Sequence, residues 1–230
     1  MQAATLLRPL PAMHVTDCGA AVVTSIEHSD AANSTALLMQ SRQTILPKRL
    51  FAPGPGPHEI GMLFNAAATA PDHGQLLPWR FIVVAESARA SLAQVFSAAL
   101  LERDAAATPE QLEQAREKAF RAPLLLLLLV DGLCGDADID LAERIVSAGC
   151  AVQNLLLMAT ALGYGSALTS GKALKSAGLR SLFGLDESTQ ALCFVSVGTA
   201  GAGKKDRQRP APIQFVSTLR PDASWEPGFE

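Results

Sequence analysis

Two short stretches of this 230-residue chain carry side chains that could grip an anion or a planar ring. Ser41-Arg42-Gln43-Thr44 sets a guanidinium two residues before a hydroxyl. That pair can hold a phosphate dianion through one charge-assisted and one neutral hydrogen bond. A solvated helix end is the plainer account of the same four residues. Ala70-Pro71-Asp72-His73 leads a rigid turn to an imidazole, and Leu77-Pro78-Trp79-Arg80-Phe81 then takes the chain into a strand. His73 can donate to a ring carbonyl, stack on a planar ligand, or simply cap a helix end. Trp79 is expected in the core, because aromatic side chains bury large areas whatever the function. Further on, Leu162-Gly163-Tyr164-Gly165-Ser166-Ala167-Leu168-Thr169-Ser170-Gly171 combines glycines, which permit unusual backbone angles, with the donors Thr169 and Ser170. An ordinary helix-to-strand connection has the same composition.

Several other chemistries are excluded. Gly198 to Lys205 approaches a phosphate-binding loop, but the hydroxyl that would bind Mg²⁺ is replaced by Lys205. Pro210 and Pro212 then forbid the helix such a loop must open. His58-Glu59 begins like a metalloprotease helix, yet Met62 stands where the second His is needed. The four His and four Cys form no metal-ligand spacing, so no metal is expected. The Cys, at 18, 134, 150 and 193, suit a reducing compartment and a cytoplasmic location. A net charge of −3 argues against nucleic acid as a partner. The start of the chain lacks the apolar core of a secretory signal. Mean hydropathy is +0.21, but the long uncharged stretch between Arg144 and Lys172 carries Gln153-Asn154 in its middle, so a buried helix is expected rather than a membrane span.

The elements that must position these residues follow from hydrophobic period and punctuation. Residues 1–33 show no sustained period and are expected to be an extension, with one short strand at Ala21 to Ile26. The main domain would then be residues 34–230. Ser34 is a candidate N-cap for a short helix, Thr35 to Arg42. Helices are expected over His58 to Thr69, Glu86 to Arg103, Thr108 to Phe120 and Asp138 to Leu162. Thr108-Pro109-Glu110-Gln111 has the N-cap, the Pro at N1 and the Gln at N3 of a capped start. Strands are expected at Arg80 to Val84, Leu124 to Val130 and Ala191 to Val197, with a short extended piece at Tyr164 to Leu168 and a broken helical region from Lys172 to Phe183. Ser147, Gly149 and Ala151 make one part of the long helix small enough for close helix packing, inside the subunit or between subunits. The class is α+β.

Taken in order, Arg42-Gln43-Thr44, Ala70-Pro71-Asp72-His73 with Pro78-Trp79, Ala122-Pro123 before a Leu strand, Ser147-Ala148-Gly149-Cys150-Ala151, Gly163-Tyr164-Gly165 and Val197-Gly198-Thr199 resemble the nitroreductase family, in its short compact subgroup. The resemblance covers about residues 34 to 219. It implies a central mixed or antiparallel sheet wrapped by helices, a homodimer, and two FMN molecules at the subunit interface. It assigns the ribityl phosphate and nearby flavin edge to Arg42, Gln43 and Thr44. Thr69 and His73 would reach the flavin bound mainly by the other subunit, and Leu168, Thr169 and Ser170 would line it. The basic segment Lys204, Lys205, Arg207 and Arg209 falls where relatives place a phosphate-binding cation.

The implied activity is transfer of a hydride from NADH or NADPH through FMN to nitroaromatics, quinones or similar conjugated acceptors, with ping-pong kinetics. The chemistry would belong to flavin N5, which accounts for the lack of a catalytic triad or metal cluster in the sequence. Three departures stand against the family pattern: Gln43 for Arg or His, Thr69 for Arg, and Leu77 for Gln or Arg before Pro-Trp. They motivate a second reading, a flavin-binding store or sensor without turnover.

Overall fold

The computed structural model describes residues 28–201 and 208–229. Helix α1 (His28–Ser41) begins well before Ser34, so Ser34 is not its N-cap and the expected short helix is only its second half. Nothing between Asp30 and Ser34 breaks a helix, and Asp30 lies in the first turn, where a carboxylate favours the helix dipole. The helix crosses the boundary between two units of the chain, Met1–Ala36 and Leu37–Glu230. The strand expected at Ala21 to Ile26 lies outside the described residues. All remaining elements belong to the second unit.

There β1 (Leu50–Phe51) leads through a proline-rich loop to α2 (Pro57–Ala67). Strand β2 (Trp79–Val83) precedes α3 (Arg89–Arg103) and α4 (Pro109–Glu117). The predicted cap of α4 is present in both directions: Gln111 N–H donates to Thr108 Oγ1 (3.3 Å) and Thr108 N–H to Gln111 Oε1 (2.9 Å). Strand β3 (Leu124–Asp131) and the long helix α5 (Leu141–Ala161) come next. Asp140 caps α5 by accepting from Glu143 N–H at 3.0 Å. Then come β4 (Gly165–Thr169), α6 (Ala177–Phe183) and β5 (Thr189–Ala200). The last described elements form a hairpin of β6 (Ser217–Leu219) and β7 (Trp225–Pro227).

All strand pairs of the main sheet are antiparallel. Strand β3 lies between β2 and β5, and β4 takes the opposite edge of β5, with β1 at its far end. The leucine run of β3 explains why this sheet is covered on both faces. Side chains alternate along a strand, so Leu124, Leu126, Leu128 and Val130 enter one core with α2 and α5. Leu125, Leu127 and Leu129 enter a second core with Leu92 of α3, Leu179 of α6 and Phe194. A strand buried on both faces needs an unbroken apolar run rather than an alternating one. Trp79 is buried, as expected.

Close backbone packing explains two of the short motifs. A Cβ on Gly198 would lie 2.7 Å from Pro123 Cδ, so Val197-Gly198-Thr199 and Ala122-Pro123 fit together only with glycine there. A Cβ on Gly165 would lie 2.8 Å from Leu50 Cδ2, which ties β4 to β1. By length and hydropathy α5 could cross a membrane. Here Ala148, Ala151, Leu155 and Ala159 are completely buried against α2 and the sheet.

Candidate functional site

Arg42, Gln43 and Thr44 follow the last turn of α1, all half-buried. Thr44 forms a parallel bridge with Ser166, and Ile45 N–H donates to the Ser166 carbonyl at 2.9 Å. The segment is thereby laid alongside β4, the strand that carries Leu168 and Thr169 and delivers Ser170. Arg209 also holds this segment, donating to the carbonyls of Arg42 (2.7 Å) and Gln40 (3.2 Å). One of the four cations in the basic segment thus acts on the backbone of the Arg42 turn. Lys204, Lys205 and Arg207 lie outside the described residues.

The turn into β4 is itself fastened. Tyr164 Oη donates to Glu59 Oε2 at 2.7 Å, and Gly56 N–H donates to the same oxygen at 2.8 Å. The two bonds hold the Glu59 carboxyl below its ordinary pKa of 4.5, the Gly56 amide more strongly than the Tyr164 hydroxyl. The same bond raises the Tyr164 phenol, which is worth more as a donor when protonated.

Thr69 and His73 sit elsewhere, between the end of α2 and the start of β2. Thr69 Oγ1 donates to the Ala66 carbonyl (2.8 Å) and accepts from Asn154 Nδ2 of α5 (3.1 Å). His73 Nδ1 lies 2.8 Å from Glu143 Oε2, also on α5, and the imidazole is largely exposed. Ser147 Oγ, on the small-residue stretch, donates to the Pro71 carbonyl at 2.6 Å. Thus Asn154, Ser147 and Glu143 shape the Thr69–His73 turn from a helix about 70 or more residues away in sequence, which local pattern cannot reveal. The expected site residues therefore fall in two groups: Arg42–Thr44 with Leu168–Ser170 at β4, and Thr69 with His73 in the turn between α2 and β2, held by α5.

Two further features were not legible. Ser166 Oγ is completely buried in β4 and has no hydrogen-bond partner among the described residues. A buried hydroxyl without a partner is rare and calls for a reason. Ser166 Oγ is closed off by the protein itself, and it is the donor set of Arg42, Thr44, Thr169 and Ser170 that fits a phosphorylated, hydroxyl-rich cofactor. The second feature is a cavity of ≈ 470 Å³ on the α3 side of the sheet, to which Thr169 and Ser170 contribute. Arg42, Gln43, Thr44, Thr69 and His73 do not line it. Among the described residues no group of His, Cys, Asp and Glu could hold a metal ion.

Comparison with known proteins gives a consistent result. The model of the family described as "Nitroreductase family" matches residues 41–199. A Haemophilus influenzae protein, provisionally named an NAD(P)H nitroreductase, is 35% identical over 166 residues, covering 70% of this chain and 86% of the relative. The crystal structure of a nitroreductase-like family protein from Bacillus cereus superposes with a TM-score of 0.68 at 16% identity, over 80% of this chain and 95% of that one. The NADPH:FMN oxidoreductase of Vibrio harveyi, solved in complex with NAD⁺, gives a TM-score of 0.61 at 17% identity, over 80% of this chain and 76% of that one.

Proposed function

The chain belongs to the nitroreductase family, and from that premise we propose that it is an FMN-dependent NAD(P)H oxidoreductase acting on nitroaromatics, quinones or similar conjugated acceptors. The observation that carries the reading is the Arg42–Thr44 turn, laid along β4 by the Thr44–Ser166 bridge and tied down by Arg209. Bound FMN would supply the redox chemistry, accepting a hydride from NADH or NADPH and passing electrons to the acceptor.

The chain's own residues bind and orient. Arg42 and Thr44 would hold the phosphate, one by a charge-assisted bond and one by a neutral bond. Gln43 would add a neutral amide where relatives carry a cation, with Lys205 and Arg207 as the compensating charges. Leu168 would pack against the ring system, while Thr169, Ser170 and nearby backbone amides would donate toward the electron-rich edge. In a homodimer, Thr69 and His73 of the second subunit would close the site. That arrangement accounts for the separation of the two groups, one at β4 and one in the α2–β2 turn. Two half-reactions on one face of the ring predict ping-pong kinetics. In this reading residues 34–230 form the flavin-binding domain, residues 1–33 an extension, and the enzyme works in the cytoplasm.

The test is optical. The purified protein should be yellow, release FMN on denaturation, and oxidise NADH or NADPH in the presence of a nitroaromatic or a quinone. A yellow protein that oxidises neither donor would instead support the store or sensor reading, which Gln43, Thr69 and Leu77 motivate. A colourless protein that ignores added FMN defeats both.

A further inference from the structure

The cavity on the α3 side of the sheet has a second character that the flavin reading does not use. Its floor is apolar: Phe96 and Leu100 of α3, Leu125 of β3 and Phe194 of β5. Its rim is basic: Lys48, Arg103, Lys118, Arg121 and Lys172. These five cations come from separate places in the chain: the turn before β1, the last turn of α3, the turn after α4 and the turn after β4. Among the described residues no Asp or Glu lines the cavity. Among the described residues Lys48, Arg103, Lys118 and Lys172 engage no carboxylate, and Arg121 has only a distant one, Glu117 at 3.8 Å.

Cations are usually scattered among carboxylates on a surface of net negative charge, as this chain's is. Five around one opening, without an acid among them, produce a local positive field focused by the low-dielectric walls. The volume, ≈ 470 Å³, lies within the range of small-molecule sites. The edge-to-face contact of Phe96 with Phe194, ring centroids 5.5 Å apart, gives the floor an aromatic surface suited to a flat guest.

We propose that this cavity is a binding site for an aromatic organic anion, its ring on the Phe96–Phe194 floor and its carboxylate, sulfonate or phosphate at the Arg103–Lys118–Lys172 rim. The site is separate from the proposed phosphate grip, since Arg42 and Thr44 do not line it, and it adjoins the flavin segment only through Thr169 and Ser170.

The experiment titrates the full-length protein, saturated with FMN, by calorimetry with 2-naphthoate and with its neutral isostere 2-naphthamide. The acid should bind at least tenfold more tightly than the amide. Most of that difference should vanish at about 0.5 M salt, where charges at an exposed rim are screened. Arg103→Gln with Lys118→Gln should weaken the acid about tenfold or more and leave the amide unchanged. Both positions are exposed, so the variants should fold, and the comparison of acid with amide on the parent protein stands without them. Equal affinity for acid and amide overturns the proposal, as does an acid affinity indifferent to both substitutions. Loss of naphthoate binding on saturation with FMN would assign the cavity to the flavin and also overturn it. If the protein takes up no FMN, the proposed function fails, while the same titration on the flavin-free protein still decides the anion site.

Discussion

A guanidinium and a hydroxyl two residues apart mean little until the chain lays them against another strand. At Arg42 and Thr44 that is what the bridge to Ser166 does. Arg42→Ala should therefore weaken FMN retention tenfold or more. A hydrogen bond from a charged donor contributes about 1.5–3 kcal/mol, while the half-buried position leaves fold stability nearly unaffected. Fluorescence titration of released FMN against the urea midpoint separates the two effects, and equal retention in variant and parent would remove Arg42 from the site. Glu59 offers a pH test of a different kind. Its carboxyl titrates below its ordinary value because the Gly56 amide and the Tyr164 hydroxyl favour the charged form. A carboxyl depressed in the folded state contributes stability above its unfolded pKa and loses it as the pH falls through the folded one. Tyr164→Phe should thus lower the urea midpoint at pH 7, and the gap between variant and parent should narrow as the pH falls below the ordinary carboxyl value and through the depressed one of the folded state. A gap that persists in acid would mean that the hydroxyl acts by packing alone.

At the scale of elements, Arg144 shows how one buried charge can shape a loop. Completely buried in α5, it donates to the carbonyls of Cys134, Asp136 and Ile139, so the loop from β3 to α5 is wound around a single guanidinium. Arg144→Met should cost about 3 kcal/mol, the effect of leaving several buried carbonyls unpaired, readable as a shift in the chemical denaturation curve. A change within about 0.5 kcal/mol, typical of surface positions, would contradict that role. Nothing in the sequence marks Arg144 as buried, because its partners are backbone atoms. By contrast, elements governed by local chemistry are legible. The Thr108–Gln111 cap, the leucine strand and the long helix all stand where pattern places them. The two-residue strand β1 and the β6–β7 hairpin are too short for a period to form, and α1 begins early because no breaker precedes Ser34. The candidate site was legible only as an ordered set of pieces. Its partners, Ser166, Asn154 and Glu143, are set by strand pairing and helix docking across long sequence separations.

For the whole molecule, the question is what completes a site whose residues fall in two groups, one at β4 and one in the α2–β2 turn. A second copy is the proposed answer, and α5 offers the surface for it. The helix buries one face in the subunit core, but Val146 remains 65% exposed and Ile145 37%, and a Cβ on Gly149 would meet nothing within 4 Å among the described residues. An apolar, small-residue face beside Ser147 and Asn154 lies where two helices from different subunits can approach, next to the turn that carries Thr69 and His73. Val146→Asp tests this without touching either group. In a lone subunit the new carboxylate points to water, and surface substitutions of that kind change stability by less than about 0.5 kcal/mol. Across a buried interface the same carboxylate lacks a partner and costs several kcal/mol, enough to weaken association a hundredfold or more. Sedimentation velocity should then show the parent as a dimer and the variant as a folded monomer. The variant should also lose its flavin absorbance on dilution, because Thr69 and His73 of the second subunit are gone. A Val146→Asp protein that stays dimeric and yellow would place the subunit contact on another face.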